Sequence, residues 1–197
     1  MASEVENCNA ALDRLGAKPI ASLSEDSKEA KLCKRQHPRT RDALLQSHYW
    51  NFAMARVELA LLPDAPAFGW TYQYQLPNDV LRVMSMEEKT THFKIEGRTL
   101  LTDSATAKIL YIKQVTDVSL YTPLFNELLS LTLAKDLSYN LVHSSQLKKT
   151  LMDELAVLLR DARSFDGQEG IIDQLEADVW LEARIQPTGD LGRNVKV

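Results

Sequence analysis

Apolar side chains recur at helical spacing near both ends of the chain and at nearly alternate positions in its middle. Val5, Cys8, Ala11, Leu12 and Leu15 mark one face of a first helix over residues 4–15, and Gly16 follows where a helix stops. Ser24, followed by acids, predicts the cap of a second helix that runs to about Gln46. Pro38 removes a backbone donor and disfavours helical geometry at His37, so a kink or split is expected there. Beyond residue 50 the period shortens to about two. Residues 52–62, 70–76, 79–87, 92–102 and 108–115 read as strands, with 95–100 as a hairpin turn. From Thr122 and Pro123 a third helix begins, apolar on too many sides for a narrow stripe and therefore largely buried. A fourth, from Ser145 to about Arg163, gathers Leu147, Leu151, Leu155, Leu158, Leu159 and Ala162 on one face.

This order predicts an α+β fold: a four-helix α-helical bundle, two helices before and two after, with an inserted small antiparallel β-sheet lobe and an extended C-terminal tail. The expected units are N-terminal bundle helices over 1–50, the β-lobe over 51–118, C-terminal bundle helices over 119–165, and an acidic tail over 166–197. The tail carries isolated apolar residues, Ile171, Ile172, Trp180 and Leu181, that cannot form a core of their own.

Composition narrows the function classes. A chain of 197 residues with 25% charged side chains and seven each of Gly and Pro is an ordinary folded protein. No apolar run approaches the roughly 20 residues that span a bilayer, and the acidic, amphipathic N-terminus predicts synthesis without a signal peptide. Cys8 and Cys33 occupy apolar helix positions, which makes them buried thiols rather than a disulfide framework. A net charge of −4 argues against a general nucleic-acid binder, but the charge is unevenly spread. Lys28, Lys31, Lys34, Arg35, Arg39 and Arg41 face one acid, Glu29, across residues 28–41, whereas residues 166–184 hold six acids against Arg184 alone. A basic helix face of this kind is solvated or contacts another subunit; contact with nucleic acid is the competing reading.

Catalytic chemistry finds little support. No glycine-rich phosphate loop, HExxH, GxSxG or CxxC occurs, and His37, His48, His92 and His143 lie in different segments without metal-ligand spacing. Asp103 with Asp117, or Glu87 with Glu88, are the nominal acid pairs for a hydrolase, though spacing alone does not bring either pair across a cleft. No catalytic, cofactor-binding or metal-binding residues are assigned. Thr90, Thr91 and Thr102 are read as strand residues.

Several stretches in collinear order resemble one family. "NAALDRLGAKPIASL", "PRTRDALL" and Trp50-Asn51-Phe52-Ala53 open the chain. "YQLPNDVLRV", "FKIEGRTLLTD", "TDVSLYTPLFNELLSLTLAKDL" and "FDGQEG…ADVWLEAR" follow. Together they resemble the tail tubular protein A family, the head-to-tail adaptor proteins of short-tailed bacteriophages. Where members often carry an aromatic before the proline of the second helix, this chain has His37. The resemblance implies a structural virion protein without an active site, synthesised in the host cytoplasm. It further implies a dodecameric ring between portal and tail nozzle, with the genome passing through its lumen unbound. On that basis Ile171, Ile172, Trp180, Leu181 and Arg184 are candidates for docking on the portal or a neighbour, and the six cations of residues 28–41 for an inter-subunit surface. The residues themselves leave two other readings open: a tail-associated hydrolase of host envelope polysaccharide or peptidoglycan, and a nucleic-acid accessory protein. The aromatic stretch "HYWNFA" (48–53) falls where helical period gives way to strand period. Alternation there places Trp50 and Phe52 on one side, as anchors of sheet on bundle, and Tyr49 on the other.

Overall fold

A computed structural model describes residues 3–169. The chain is α+β, with four α-helices and seven strands among these residues. The first helix, α1 (Glu4–Arg14), is capped by Ser3, whose hydroxyl accepts from the Glu6 amide at 3.1 Å, and ends where Gly16 takes a φ of 62°. The second, α2 (Lys28–Gln46), is capped at Ser27, three residues later than the cap expected at Ser24. Local polar bonds explain the delay: the Ser22 and Ser24 hydroxyls bond each other, the Glu25 carboxylate accepts from the Ala21 amide, and Ser27 caps through the Ala30 amide. Pro38 neither splits nor ends α2. Lys34, whose carbonyl loses its partner, and Pro38 are both exposed, while Cys33, His37, Leu44 and Leu45 bury the opposite face.

The strand expected over 52–62 divides. Asn51–Ala53 forms a 3-10 turn, then β1 (Met54–Glu58) and β2 (Ala60–Leu61) enter different sheets, with Leu59 buried at the switch. The remaining strands are β3 (Tyr72–Gln75), β4 (Val80–Met86), β5 (Phe93–Glu96), β6 (Thr99–Thr102) and β7 (Lys108–Lys113). They form two antiparallel sheets rather than one: β1-β7-β4 and β2-β3-β6-β5. The sheets share a core in which Met86, Ile109 and Tyr111 from the first meet Tyr74 and Leu100 from the second. Between β5 and β6 a two-residue turn, Gly97 with Arg98, depends on glycine's freedom at φ 60°. Thr90 and Thr91 lie outside the strands, in the connection where both hydroxyls bond to Glu88.

After a second 3-10 turn (Val118–Leu120), α3 (Pro123–Val142) is capped by Thr122 and carries Pro123 in its first turn. It is the central helix, packed against α1, α2 and the last helix, α4 (Ser145–Gln168), so its buried residues lie on most of its circumference. Ser144 caps α4, which continues past the expected end near Arg163. Asp166, expected in the tail, is therefore a buried helix residue. Cys8 and Cys33 meet in the core between α1 and α2 as free, fully buried thiols. A hydrogen bond to Cys33 and its own burial push the Cys8 thiol up.

The helices meet the first sheet at one aromatic cluster. No strand forms at Tyr49–Phe52; the 3-10 turn sets the side chains instead. Trp50 is buried, donates from Nε1 to the Leu44 carbonyl at 3.0 Å, and packs edge-on to Phe125 with ring centroids 5.1 Å apart. Phe52 meets the same ring at 4.9 Å, as does Tyr121. Ile112 of β7 and Leu128 of α3 complete this core. Tyr49 is exposed, beneath the Arg82 guanidinium at 4.7 Å. Trp50→Ala removes the central ring, and urea denaturation is expected to show a loss of about 3–5 kcal/mol; an unchanged midpoint would rule out the cluster as the joint between helices and sheet.

Candidate assembly surface

The basic face of α2 proves to be two populations. Lys28, at the start of the helix, donates from Nζ to the Asn140 carbonyl at 2.8 Å, placing a cation at the C-terminal turn of α3. Lys31 pairs with Asp26. Lys34, Arg35 and Arg39 are exposed and make no ion pair or hydrogen bond among the described residues. Arg41 departs from the expected surface: it is 5% exposed, its Nε donates to Asp42 at 2.8 Å, and its Nη1 lies 3.9 Å from Glu4. The reason is helical phase. Cys33, His37, Arg41 and Leu44 follow one another at three- and four-residue spacing along the buried stripe, a periodicity legible in the sequence.

Polar groups missed in the sequence hold this helix in place. Thr40 donates to Asp136 of α3 at 3.1 Å, Gln114 donates to Asp42 at 2.7 Å, and Gln46 donates to the Leu81 carbonyl at 3.0 Å. At the far end of α4, Asp166 accepts from the Asn51 amide at 3.0 Å and lies 3.4 Å from His48 Nε2. Burial pushes the His48 pKa down, with Asp166 opposing. Asp166 thus ties the last turn of α4 to the turn that leads into β1.

Between α2, α3 and α4 lies a groove of about 260 Å³. Its floor is apolar, from Ala43, Leu44, Leu155 and Leu159, and its rim polar, from Thr40, Lys135, Asp136 and Arg163. Arg163 donates from Nη2 to the Ser47 carbonyl at 3.3 Å, while its buried Nε has no hydrogen-bond partner. A larger cavity, of about 460 Å³, opens at the ends of β1, β4 and β7, where Lys108 pairs with Glu87 at 3.1 Å. On the second sheet the connection before β3 presents Phe68, which is 88% exposed.

The nominal acid pairs have local structural tasks. Asp103 accepts from the Thr71 amide and hydroxyl, Asp117 accepts from the Ser119 amide and hydroxyl, Glu87 pairs with Lys108, and Glu88 accepts from Thr90 and Thr91. Among the described residues no three His, Cys, Asp or Glu side chains are grouped to hold a metal ion, and no helix is long and apolar enough to cross a membrane. The docking candidates Ile171, Ile172, Trp180, Leu181 and Arg184 lie outside the described residues.

The family model for tail tubular proteins matches residues 5–128, which runs from α1 through both sheets into α3. The chain belongs to the tail tubular protein family. As a tail tubular protein it is a structural component of a phage tail, located in the virion tail and assembled there with other virion proteins. No curated protein matches its sequence.

The buried end of α2 has a pH signature. His37 is 1% exposed, with Nδ1 3.9 Å from Glu4 and Nε2 unpartnered. Burial pushes its pKa below the ordinary imidazole value; Glu4 opposes this, Arg41 adds to it and Asp42 opposes it. The folded chain therefore binds the proton less readily than the unfolded one. Its contribution to stability is complete above about pH 6.5 and is lost as pH falls below that value. His37→Gln is expected to flatten the decline in urea midpoint between about pH 7.5 and 5.5, leaving the part due to His48; an unchanged slope would show that His37 is not its source.

Proposed function

We propose that this tail tubular protein forms the head-to-tail adaptor ring between portal and tail nozzle, retaining the packaged genome and conducting it at ejection. The observation that carries the reading is the stripe of Lys34, Arg35 and Arg39, exposed and without partners along α2, in a chain whose family builds phage tails. The ring is a dodecamer in which each subunit makes a heterologous contact with two neighbours. A basic stripe on one subunit facing acids on the next steers association and fixes register more than it adds affinity. The lumen conducts DNA without specific contacts, which suits a chain of net charge −4.

The helices on either side of the sheets, the β-lobe over 51–118 and the tail beyond α4 supply different tasks in such a ring. The aromatic anchor Trp50–Phe52 fixes the lobe relative to the helices. Ile171, Ile172, Trp180, Leu181 and Arg184 dock on the portal or a neighbour. No active site is required, because the work is done by interface free energy. The portal templates the ring, so the isolated subunit can be monomeric.

Negative-stain imaging of the purified chain mixed with portal particles tests the assignment. A twelve-fold cap on one end of the portal is expected, as the family resemblance implies, and its formation should weaken when Lys34, Arg35 and Arg39 are all changed to Glu. Bare portals at saturating concentrations of a folded chain would overturn the adaptor role.

A further inference from the structure

The groove between α2, α3 and α4 has the length, polarity and position to receive the chain's own C-terminal segment. Its floor runs along α4 from Leu155 to Arg163, about 12 Å at the helical rise. Its α2 wall is extended by Arg39 and Arg35, one and two helical turns before Ala43 and both without partners. On its α4 wall the buried Arg163 Nε lacks an acceptor. The groove is thus apolar at the bottom, and at its rim the one acid, Asp136, is paired with Lys135, which leaves Arg163, Arg39 and Arg35 without a carboxylate among the described residues.

Residues 171–185 have the complementary pattern. Ile171, Leu175 and Val179 recur every four residues, and the stretch carries Asp173, Glu176, Asp178 and Glu182 against Arg184 alone. Position favours the chain's own segment over that of a second copy. Asp166 is held at Asn51 and His48, next to Ser47 at the groove's end, so the last described turn of α4 ends beside the groove. A tethered segment so close competes at millimolar effective concentration.

We propose that in the free subunit the segment 171–185 folds back into the α2–α3–α4 groove, its apolar residues on the floor and its acids on Arg35, Arg39 and Arg163. This is helix-in-groove recognition within one chain. Its consequence for assembly rests on the adaptor reading: the parked segment masks both itself and the basic stripe, and ring formation releases them together. The fold-back itself does not require that reading.

Full-length chain carrying Ala43→Cys, labelled with a benzophenone maleimide and irradiated as monomer, tests the contact, since Cys8 and Cys33 are buried and stay unlabelled. Photo-cross-links within one chain to residues 171–185 are expected. They should fall at least about fivefold when Arg35→Glu and Arg39→Glu are added at unchanged melting temperature, the loss of roughly one kcal/mol of ion pairing. Ser47→Cys, at the other end of the groove, repeats the measurement should Ala43→Cys fail to fold. Cross-links confined to other residues, cross-links only between chains, or yields indifferent to the charge reversal would each overturn the proposal. None of these outcomes bears on whether the chain caps a portal, which the imaging experiment decides separately.

Discussion

Edge-to-face packing of Trp50 and Phe52 on Phe125 is the contact on which the rest of this structure depends. Three parts of the chain converge there: the end of α2, the turn into β1, and the first turn of α3. Each ring contributes its buried area, and the perpendicular arrangement sets the electropositive edge of one against the face of another, adding about 0.5–1.5 kcal/mol per pair. The buried indole N–H finds the Leu44 carbonyl, close to the exposed end of α2, so the one polar side-chain atom of Trp50 is satisfied. Helices and sheet are thereby fixed relative to each other by side chains within a few residues of one junction.

The same helix that delivers Trp50 separates its charges by phase. Arg41 and His37 face inward, where burial forces Arg41 to take Asp42 and Glu4 as partners and holds His37 neutral. Lys34, Arg35 and Arg39 face outward, where hydration makes unpaired cations cheap. A structural protein of a phage tail needs a stable interior and an exterior that discriminates among partners. In α2 one sequence stretch supplies both because its basic residues exceed the width of the exposed face.

Much of this architecture was legible in the sequence. The helical stripes of α1 and α4, the cap at Thr122 with Pro123, and the turn at Gly97 follow from local rules that tertiary packing reinforces. Features decided by several competing local or distant groups were harder to see. Ser24, Ser22 and Glu25 close a turn of their own, so the cap falls to Ser27. Strand period cannot show that Leu59 marks a change of sheet, because β2 is only two residues long, both exposed, and continues the run of β1 with a single residue between them. Pro38 is tolerated on the exposed side of α2, beside the exposed Lys34, a fact of position rather than of residue type. Arg41 was readable from its spacing to Cys33 and His37, whereas the bond from Asp166 to Asn51 joins residues 115 apart and has no local signature.

If the aromatic junction unites helices and sheet, they must open as one cooperative unit. Native-state hydrogen exchange measures this directly, by comparing the opening free energies of amides in β7, such as Ile112, and in α3, such as Leu129. The account predicts values equal within about 1 kcal/mol and falling together in Trp50→Ala. Strand amides that open several kcal/mol below those of α3, with the helices still protected, would show two independent units and contradict it.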